Sequence, residues 1–470
     1  MKCKLIAAFS AAVFPLTGAM LFAEKAMKAE ASPASAYWEG VEASGAVVKG
    51  NDCPVVVEKE TLDLKISTLP HNGKVEHEKY AAAVTAEYSF YNPTDSKVDM
   101  SLLFPFGVFP SYFMPDGLDD KVSAVTVDGE SAECRMRYAY VNAPYGFEID
   151  KDIERVQDEI KQDSFYSADM PVKEYRLSLT VPEGKDVTPL LKIKLDFNPQ
   201  KTRVLFPSES ETRLSISGGD MYASSYLREA REQTFVFYAV GEAFFSMAAK
   251  LYSNDKEILS VDSPVAAEMT FSEFALSKRS NTSQVGDIDW YNAFVDMLVE
   301  RGGKDGSVDG FELEEKNLMR WFEYQMSIPA GGRAVNRVCA PLYPTVDGSR
   351  NPRYEYSYLL SPAGKWADFK EIEIKIDTPY YLSNGSLDFT RTDREDGKGF
   401  TYSYSRSSLP QGELTFVLTE KDAVESDFSV FGKDFLLPPF TWAFIALLVL
   451  SAVAAVVTVI VVVSLRKKKK

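Results

Sequence analysis

The stretch that decides the fold class is Phe-Lys-Glu-Ile-Glu-Ile-Lys-Ile, residues 369–376, in which isoleucine alternates with charged residues. Successive side chains of a β-strand point to opposite faces, so Ile372, Ile374 and Ile376 fall on one face. Leu191–Phe197 (LKIKLDF) repeats this period of two. Both segments therefore predict strands of a sheet with one buried face and one solvated face.

Outward from these segments, short apolar runs recur along the chain and end at Asn, Pro, Gly or Asp, which is typical of antiparallel sandwiches. The fold class is therefore predicted as mainly β, with antiparallel sandwich-like exterior domains, a small helical insertion and one C-terminal transmembrane helix. The other predicted strands are 55–66, 84–91, 98–104, 122–127, 134–140, 175–181, 320–328, 334–340, 354–360, 400–404 and 413–418.

Few segments have a helical period. Asp150–Gln162 places a thin apolar stripe on a charged helix, and Gly286–Arg301 places Tyr291, Phe294, Val295 and Leu298 at helical spacing. A second helix is predicted to begin after the loop at 302–306, near Asp309, because Asp309 and Glu312 have the spacing of a capping box.

The C-terminus predicts a membrane anchor. Phe440–Leu465 is a run of 26 residues without a charge. As a helix it is about 39 Å long at ~1.5 Å per residue, longer than the roughly 30 Å hydrocarbon core. Arg466 and four lysines follow at once and favour the cytoplasmic side, which places the rest of the chain outside.

The N-terminus has the layout of a secretory signal peptide. Lys2 and Lys4 precede the apolar segment Leu5–Ala23, and Ala-x-Ala sites follow within Ala31–Ala36. The cleavage position stays open between about 23 and 36, and retention of this segment as a second anchor is an alternative. A sortase signal is another alternative for the C-terminus, but in Leu437–Trp442 (LPPFTW) Thr is one place late and Gly is missing.

The predicted organisation has six parts. They are a signal region at 1–36, an N-terminal β-rich exterior region of one or two domains at 37–280, a helical segment at 281–319, a C-terminal β-sandwich-like domain at 320–430, a transmembrane helix at 440–465 and a cytoplasmic tail at 466–470. The net charge is −16, and because the two ends hold seven of the cations the exterior portion carries −23. Such a surface disfavours nucleic acid and anionic lipid as partners.

Cysteine and histidine are scarce. Beyond the signal region lie Cys53, Cys134 and Cys339, an odd number that cannot all pair within one chain, and a Cys53–Cys134 bridge is one option. The two histidines, His71 and His77, lie in one polar loop, which predicts solvated side chains rather than a metal site. No catalytic residue, cofactor-binding residue or metal ligand is assigned.

Three further features suggest sites without requiring them. The loop Asp305-Gly-Ser-Val-Asp309-Gly310 resembles the start of a calcium loop, but position 12 is Lys316. Tyr354, Tyr356 and Tyr358 share one strand face, as do Tyr402 and Tyr404, and packing is favoured over an exposed binding ladder. Phe104–Pro115 is rich in large apolar residues that either cap a sandwich or form an adhesive patch.

A family resemblance is carried by Pro329-Ala-Gly-Gly332, by Val335–Pro344 (VNRVCAPLYP) and by Tyr354–Ile376 (YEYSYLLSPAGKWADFKEIEIKI). These segments resemble uncharacterised single-pass surface proteins of Gram-positive bacteria with β-rich exterior domains. The likeness covers about half of the exterior portion and implies a secreted, anchored surface protein. It brings no catalytic residue with it.

The sequence predicts a membrane-anchored extracellular surface protein that acts as a non-enzymatic binding, adhesion or envelope-structural module. The membrane is its one predicted partner, and a protein or glycan ligand stays unidentified. This hypothesis expects no buried pair of carboxylates in a cleft. The alternatives are a tethered extracellular hydrolase that acts on cell-wall or other glycans, and the ectodomain of a receptor complex that needs a membrane partner.

Overall fold

A computed structural model describes residues 43–44, 46–49, 53–69, 82–107, 124–141, 149–180, 190–207, 213–217, 220–226, 232–253, 256–261, 265–346 and 352–422. The predicted signal region, the segment 440–465 and the tail lie outside these residues. Within them, no helix is both long enough and apolar enough to cross a membrane. The chain up to Thr419 forms one compact unit.

The unit is mainly β, as the alternating segments predict. Its strands are β1 (Ala43–Ser44), β2 (Val47–Val48), β3 (Val56–Ile66), β4 (Ala82–Tyr91), β5 (Val98–Gly107), β6 (Ala124–Val127), β7 (Glu130–Ser131), β8 (Cys134–Tyr140), β9 (Pro171–Thr180), β10 (Leu190–Asp196), β11 (Thr202–Phe206), β12 (Arg213–Ser217), β13 (Asp220–Tyr226), β14 (Glu232–Gly241), β15 (Ser246–Ser253), β16 (Lys256–Val261), β17 (Val265–Thr270), β18 (Ser307–Asp309), β19 (Leu318–Ile328), β20 (Arg333–Pro341), β21 (Thr345–Val346), β22 (Tyr354–Leu359), β23 (Asp368–Phe369), β24 (Ile372–Thr378), β25 (Tyr381–Gly385), β26 (Thr390–Asp393), β27 (Phe400–Arg406) and β28 (Leu414–Thr419).

Helices are short or few in the described residues. The α-helices are α1 (Ile149–Asp152), α2 (Phe271–Ser277) and α3 (Asp287–Arg301), and the 3-10 turns are Ile153–Arg155, Glu315–Asn317 and Ser361–Lys365. Thr270 and Glu273 form a capping box at the start of α2. The predicted helix at 286–301 is confirmed by α3.

The first sandwich packs a large sheet against two smaller ones. The large sheet has the order β26-β27-β24-β3-β4-β20-β6-β7, with β23 also paired to β3. The smaller sheets have the orders β1-β22-β28-β25, with β21 on β22, and β2-β5-β19-β8. Alternate residues of these sheets form one apolar core, which includes Leu62, Phe90, Tyr324, Tyr356 and Ile374.

The second sandwich is inserted between β8 and β19 of the first. It packs the sheet β17-β9-β14-β11-β18 against the sheet β12-β13-β10-β15-β16. Leu177, Phe237, Ile193 and Leu251 lie in the core between them. On the other face of the β14 sheet, α2 and α3 pack in a cluster that also holds Tyr138 of β8.

Strand pairing does not follow the predicted boundary at residue 320. β19 pairs with β5 and β8, β20 pairs with β4 and β6, and β24 runs parallel to β3. The strands at 318–419 therefore complete sheets that begin near residue 47, and they do not form a C-terminal domain of their own. The prediction grouped strands by proximity in sequence, whereas sheet formation buries faces whatever their separation along the chain.

Two helix predictions are wrong. In 150–162 the helix ends at Arg155, because backbone groups after it form hydrogen bonds with distant side chains. The C=O of Gln157 accepts from Arg137, and the N–H of Lys161 donates to Asn292. No helix begins near Asp309. That residue belongs to β18, which runs parallel to β11 and pairs Asp309 with Phe206.

Candidate functional site

A cleft of about 530 Å³ lies beside β7 and β8, where two sheets of the first sandwich end. Its lining comes from the corner between β6 and β8, from the segment after α1, and from β19. The corner is a tight turn at Asp128 and Gly129, both with positive φ, as the Asp-Gly pair predicts. After this turn the chain leaves one sheet at β7 and enters the next at β8.

β8 is the outer strand of its sheet, so one side of its backbone faces away from β19. The N–H of Tyr138 donates to the Asp289 carboxylate at 3.0 Å and so faces away from β19. The antiparallel register with β19 is regular from Cys134 to Tyr140, so the N–H and C=O groups of Cys134 and Met136 face the same way. Within the part of the chain that the structure describes, neither residue has a backbone partner on that side.

Helix α3 closes the same edge farther along β8. Asp289 lies in the first turn of α3 and accepts from Arg137 as well as from the Tyr138 N–H, with Arg137 Nε 3.0 Å from its Oδ1 and Nη2 2.9 Å away. Arg137 is fully buried and Asp289 is 4% exposed. A charged, bidentate pair thus covers the edge at Tyr138.

Four charged side chains form a closed ring at the floor of the cleft. Arg137 Nη1 donates to Glu323 Oε2 at 2.6 Å and to Asp158 Oδ1 at 2.9 Å. Lys49 Nζ donates to the other oxygen of each carboxylate, Glu323 Oε1 at 2.9 Å and Asp158 Oδ2 at 2.7 Å. Every carboxylate oxygen of the ring therefore has a cationic donor.

This ring keeps both carboxylates ionised. Hydrogen bonding from Lys49 lowers the pKa of Asp158. Burial opposes ionisation of Glu323, but hydrogen bonds from Arg137 and Lys49 outweigh it, and the pKa of Glu323 is also lowered. The two acids are not a buried pair either, because the Asp158 side chain is 59% exposed and that of Glu323 is 10% exposed.

Cys134 contributes a thiol to the cleft. The residue is exposed, and its Sγ lies 3.6 Å from the carbonyl oxygen of Ala132. Desolvation by the surrounding protein raises the pKa of the thiol to about 11. At neutral pH the group is therefore a protonated thiol and lacks the thiolate character of a catalytic cysteine. Cys53, Cys134 and Cys339 are all free, so the optional Cys53–Cys134 bridge is absent.

The segment after α1 is fixed to α3 by polar contacts along one side of the helix. Asn292 accepts from the N–H of Lys161 at 2.7 Å and donates to the C=O of Glu159 at 2.9 Å. Asp296 accepts from Lys161 and pairs with Arg155. Asp158 lies in the same segment, between Arg155 and Lys161. These contacts therefore hold Asp158 in its place in the ring.

The glycine-rich loop at 303–309 turns on Asp305 and leads into β18. Asp305 Oδ1 accepts from the N–H of Ser307 at 3.0 Å and from its hydroxyl at 2.7 Å, while Asp309 lies in β18. The loop borders a second cavity of about 770 Å³ together with Pro199 and Arg301. Among the described residues, no group of three or more His, Cys, Asp or Glu side chains is placed to hold a metal ion.

The aromatic segments belong to the core as far as the structure describes them. Tyr354, Tyr356 and Tyr358 are fully buried, which confirms packing over an exposed ladder. The strand that carries Tyr402 and Tyr404 pairs with β24 and β26 rather than with β22. Phe104 is buried in the same core, and residues 108–115 of the predicted patch lie outside the described part, as do His71 and His77.

The cleft was not found from the sequence, because its parts lie far apart in the chain. Arg137 and Asp289 are separated by 152 residues, and Lys49 and Glu323 by 274. One local signal exists. Two arginines two residues apart in Cys134–Tyr140 place both guanidinium groups on one face of a predicted strand, and a buried arginine requires a carboxylate partner.

Comparisons with known proteins add little. No protein-family model matches the sequence, and no curated protein matches it. A crystal structure of a candidate nutrient binding protein from Legionella pneumophila subsp. pneumophila str. Philadelphia 1 aligns with 81% of this chain and 71% of its own, at 8% sequence identity and a TM-score of 0.33. A likeness at this level carries no argument about fold or function.

Proposed function

We propose that the protein is an extracellular surface protein, anchored by the segment 440–465, that binds a ligand in the cleft beside β8 without transforming it. The sequence supports the location through its signal-like N-terminus and its uncharged C-terminal run. The cleft supports the binding role. It combines concave shape with hydrogen-bonding groups that the rest of the fold leaves open, which is how binding sites are commonly built.

The observation that carries the proposal is a concave, polar cleft above a charge-neutralised floor. Glu130, Glu133 and Arg135 line it with exposed charged side chains that a ligand can contact. The ring of Lys49, Arg137, Asp158 and Glu323 is already satisfied, so ligand binding need not desolvate an unpaired charge there.

A hydrolase is less well supported by the same groups. Glycoside hydrolysis by paired carboxylates needs one acid that stays protonated near neutral pH. The pKa values of Asp158 and Glu323 are both lowered, and the Cys134 thiol has a raised pKa. Asp158, Glu323 and Cys134 are thus poorly suited to act as a general acid or an activated nucleophile.

The test is ligand screening with a cleft-filling variant. Full-length protein in lipid nanodiscs would be screened by biolayer interferometry against basic peptides, acidic peptides and cell-wall oligosaccharides. Gln325→Trp places a large ring on an exposed position that lines the cleft. Ser405→Trp makes the same change at an exposed position of β27, which is separated from β7 by five strands of the large sheet.

The expected result is a ligand whose binding is lost in Gln325→Trp, kept in Ser405→Trp, and whose mass is unchanged after incubation with the protein. Turnover of any panel member that is abolished by Gln325→Trp would show that the cleft is an active site and refute the proposal. Binding that survives Gln325→Trp would move the site elsewhere.

A further inference from the structure

We infer that the rings of Tyr238, Phe274 and Phe311 form a binding site for a small quaternary ammonium ligand, and that Lys278 occupies this site when the ligand is absent. These four residues are not among those that line the cleft beside β8, so this is a second site and it goes beyond the proposed function. The attraction of a cation to the faces of several aromatic rings is the usual basis of quaternary ammonium recognition.

Three elements of the inserted part bring the rings together. Tyr238 lies on β14, Phe274 lies on α2, and Phe311 follows β18 directly after Gly310, which has a φ of 62°. All three aromatic residues are buried in one cluster. The ring centroids of Tyr238 and Phe274 are 4.6 Å apart, and that of Phe311 is 5.7 Å from each of them. The three planes are inclined to one another by 46° to 88°, so the rings do not form a flat stack.

The ammonium group of Lys278 lies over all three rings. Its Nζ is 4.4 Å from the ring centroid of Tyr238, 4.8 Å from that of Phe274 and 5.6 Å from that of Phe311. It also donates to the Tyr238 hydroxyl at 2.9 Å. Lys278 follows Phe274 by four residues, at the C-cap of α2, so both side chains lie on the same side of the helix. Because Lys278 is only half-buried, its side chain can turn out to solvent while the rings stay in place.

The three distances fit a methylated nitrogen. A methyl carbon is bonded to nitrogen at about 1.5 Å, and two non-bonded carbons attract each other most strongly at ~3.5–4.0 Å. The nitrogen of a trimethylammonium group therefore lies roughly 4–5 Å from a ring that its methyl groups contact. The Nζ distances to Tyr238 and Phe274 fall within this range, and the distance to Phe311 lies just beyond it. A ligand nitrogen at the position of Nζ would thus bring its methyl groups into contact with the rings.

Two further features define the ligand. When Lys278 leaves, the Tyr238 hydroxyl is free to form a hydrogen bond with a hydroxyl group of the ligand, and choline carries both this group and a trimethylammonium group. The net charge of −16 attracts cations to the protein and repels anions. Choline is therefore the probe.

The experiment is isothermal titration calorimetry of choline into the full-length protein in nanodiscs of phosphatidylglycerol, a lipid without choline. We expect weak binding by the wild type and about tenfold tighter binding by Lys278→Ala, because this variant lacks the internal competitor; a factor of ten corresponds to ~1.4 kcal/mol. Adding Phe311→Leu to Lys278→Ala keeps an apolar side chain, removes one ring face and should weaken choline binding about fivefold. Lys192→Ala is the control, since Lys192 lies over the single ring of Tyr252, at 4.7 Å, and its removal should leave choline binding unchanged.

A neutral analogue of choline, with a tert-butyl group in place of the trimethylammonium group, separates charge from shape. It makes the same apolar contacts and lacks the attraction of a cation to the rings, so choline should bind Lys278→Ala more tightly than the analogue. The same preference is expected in the wild type at higher ligand concentration, so the test does not depend on the folding of any variant.

Equal binding of choline and its neutral analogue would refute the inference, and so would a failure of choline to bind Lys278→Ala. Equal affinity of the wild type and Lys278→Ala would show that Lys278 does not occupy the ligand site, and it would make the lysine a structural contact between α2 and β14 only. Gln325→Trp fills the cleft beside β8 and should not alter choline binding, so this inference and the proposed function fail or stand separately.

Discussion

Glu60 of β3 is buried in the core of the first sandwich, where none of the described residues places a cation beside it, and it should make stability depend on pH near neutrality. The side chain is 1% exposed and accepts from the Tyr358 hydroxyl at 3.4 Å. That hydroxyl lies 3.1 Å from the hydroxyl of Tyr88, which in turn accepts from the N–H of Ala46. Burial raises the pKa of Glu60 from 4.5 to about 7, and hydrogen bonds from Tyr88 and Tyr358 offset this only in part.

The sign and size of the effect follow from proton linkage. A folded-state pKa above the unfolded value means that the folded protein holds the proton while the unfolded chain has lost it. The contribution of Glu60 to the free energy of unfolding is therefore most favourable below pH 4.5. It falls as the pH rises from 4.5 to about 7, and it does not change further at higher pH. At 1.36 kcal/mol per pH unit the loss amounts to roughly 3 kcal/mol.

Glu60→Gln removes this titration and keeps the shape of the side chain. Urea unfolding of the wild type and the variant between pH 4 and pH 8 should show the variant gaining roughly 3 kcal/mol relative to wild type across this range. Glu58→Gln on the same strand is the control. The hydrogen bond from Arg333 lowers the pKa of Glu58. The stabilisation by Glu58 is therefore present above its unfolded-state pKa and is lost only as the pH falls through its folded-state pKa.

A difference between Glu60→Gln and wild type that stays constant from pH 4 to pH 8 would contradict the argument. It would mean that Glu60 has an ordinary pKa in the folded protein, which requires water or a cation in the core beside it.

The remaining predictions concern the ring, a helix cap and the anchor. Arg137→Met should lower the free energy of unfolding by ~3–5 kcal/mol, because it leaves Asp289 buried without its cation and leaves Glu323 with Lys49 alone. Exposed Arg135→Met should change it by less than about 0.5 kcal/mol in the same urea titrations. Thr270→Ala removes the capping box of α2 and should cost ~1 kcal/mol, measured by thermal unfolding. Deleting residues 437–470 should move the protein from the carbonate-resistant membrane fraction to the soluble fraction; a membrane-bound truncation would indicate a second anchor, such as the retained segment 5–23.

Strand positions were largely predictable because the signals that define them are local. The hydrophobic alternation of Leu191–Phe197 gives β10 to within a residue. The Asp128-Gly129 pair predicts a hairpin turn with 134–140 as the returning strand. The turn is present, but the strand that returns is the two-residue β7, and residues 134–140 pair with β19 in another sheet. The segment 369–376 was only partly right. Its strand β24 begins at Ile372, because Phe369 belongs to the separate short strand β23 and the Lys370 N–H donates to Val57 C=O.

Sheet pairing was not predictable. The alternation of apolar and polar residues shows which face of a strand is buried, but it does not show which strand pairs with it. β3 lies between β4, close in sequence, and β24, some 300 residues later, and nothing in the local pattern distinguishes the two contacts. The failure of the predicted helix at 150–162 has a similar origin. Of its predicted apolar stripe, Val156 is buried against the β19 sheet and Ile153 packs beside it, whereas Ile160 is exposed. The contacts of Gln157 and Lys161 with distant side chains outweigh helical hydrogen bonding.

The insertion of the second sandwich explains why a cleft forms at β8. A chain that leaves the β19 sheet at β8 and returns at β19 must place the intervening 177 residues, 141–317, beside that edge. Helix α3 and the fastened segment after α1 each contribute a carboxylate to Arg137, Asp289 from the helix and Asp158 from the segment. Asp158 also lines the cleft and lies 3.8 Å from Arg135, so the inserted part both fastens to β8 and supplies one wall of the cleft.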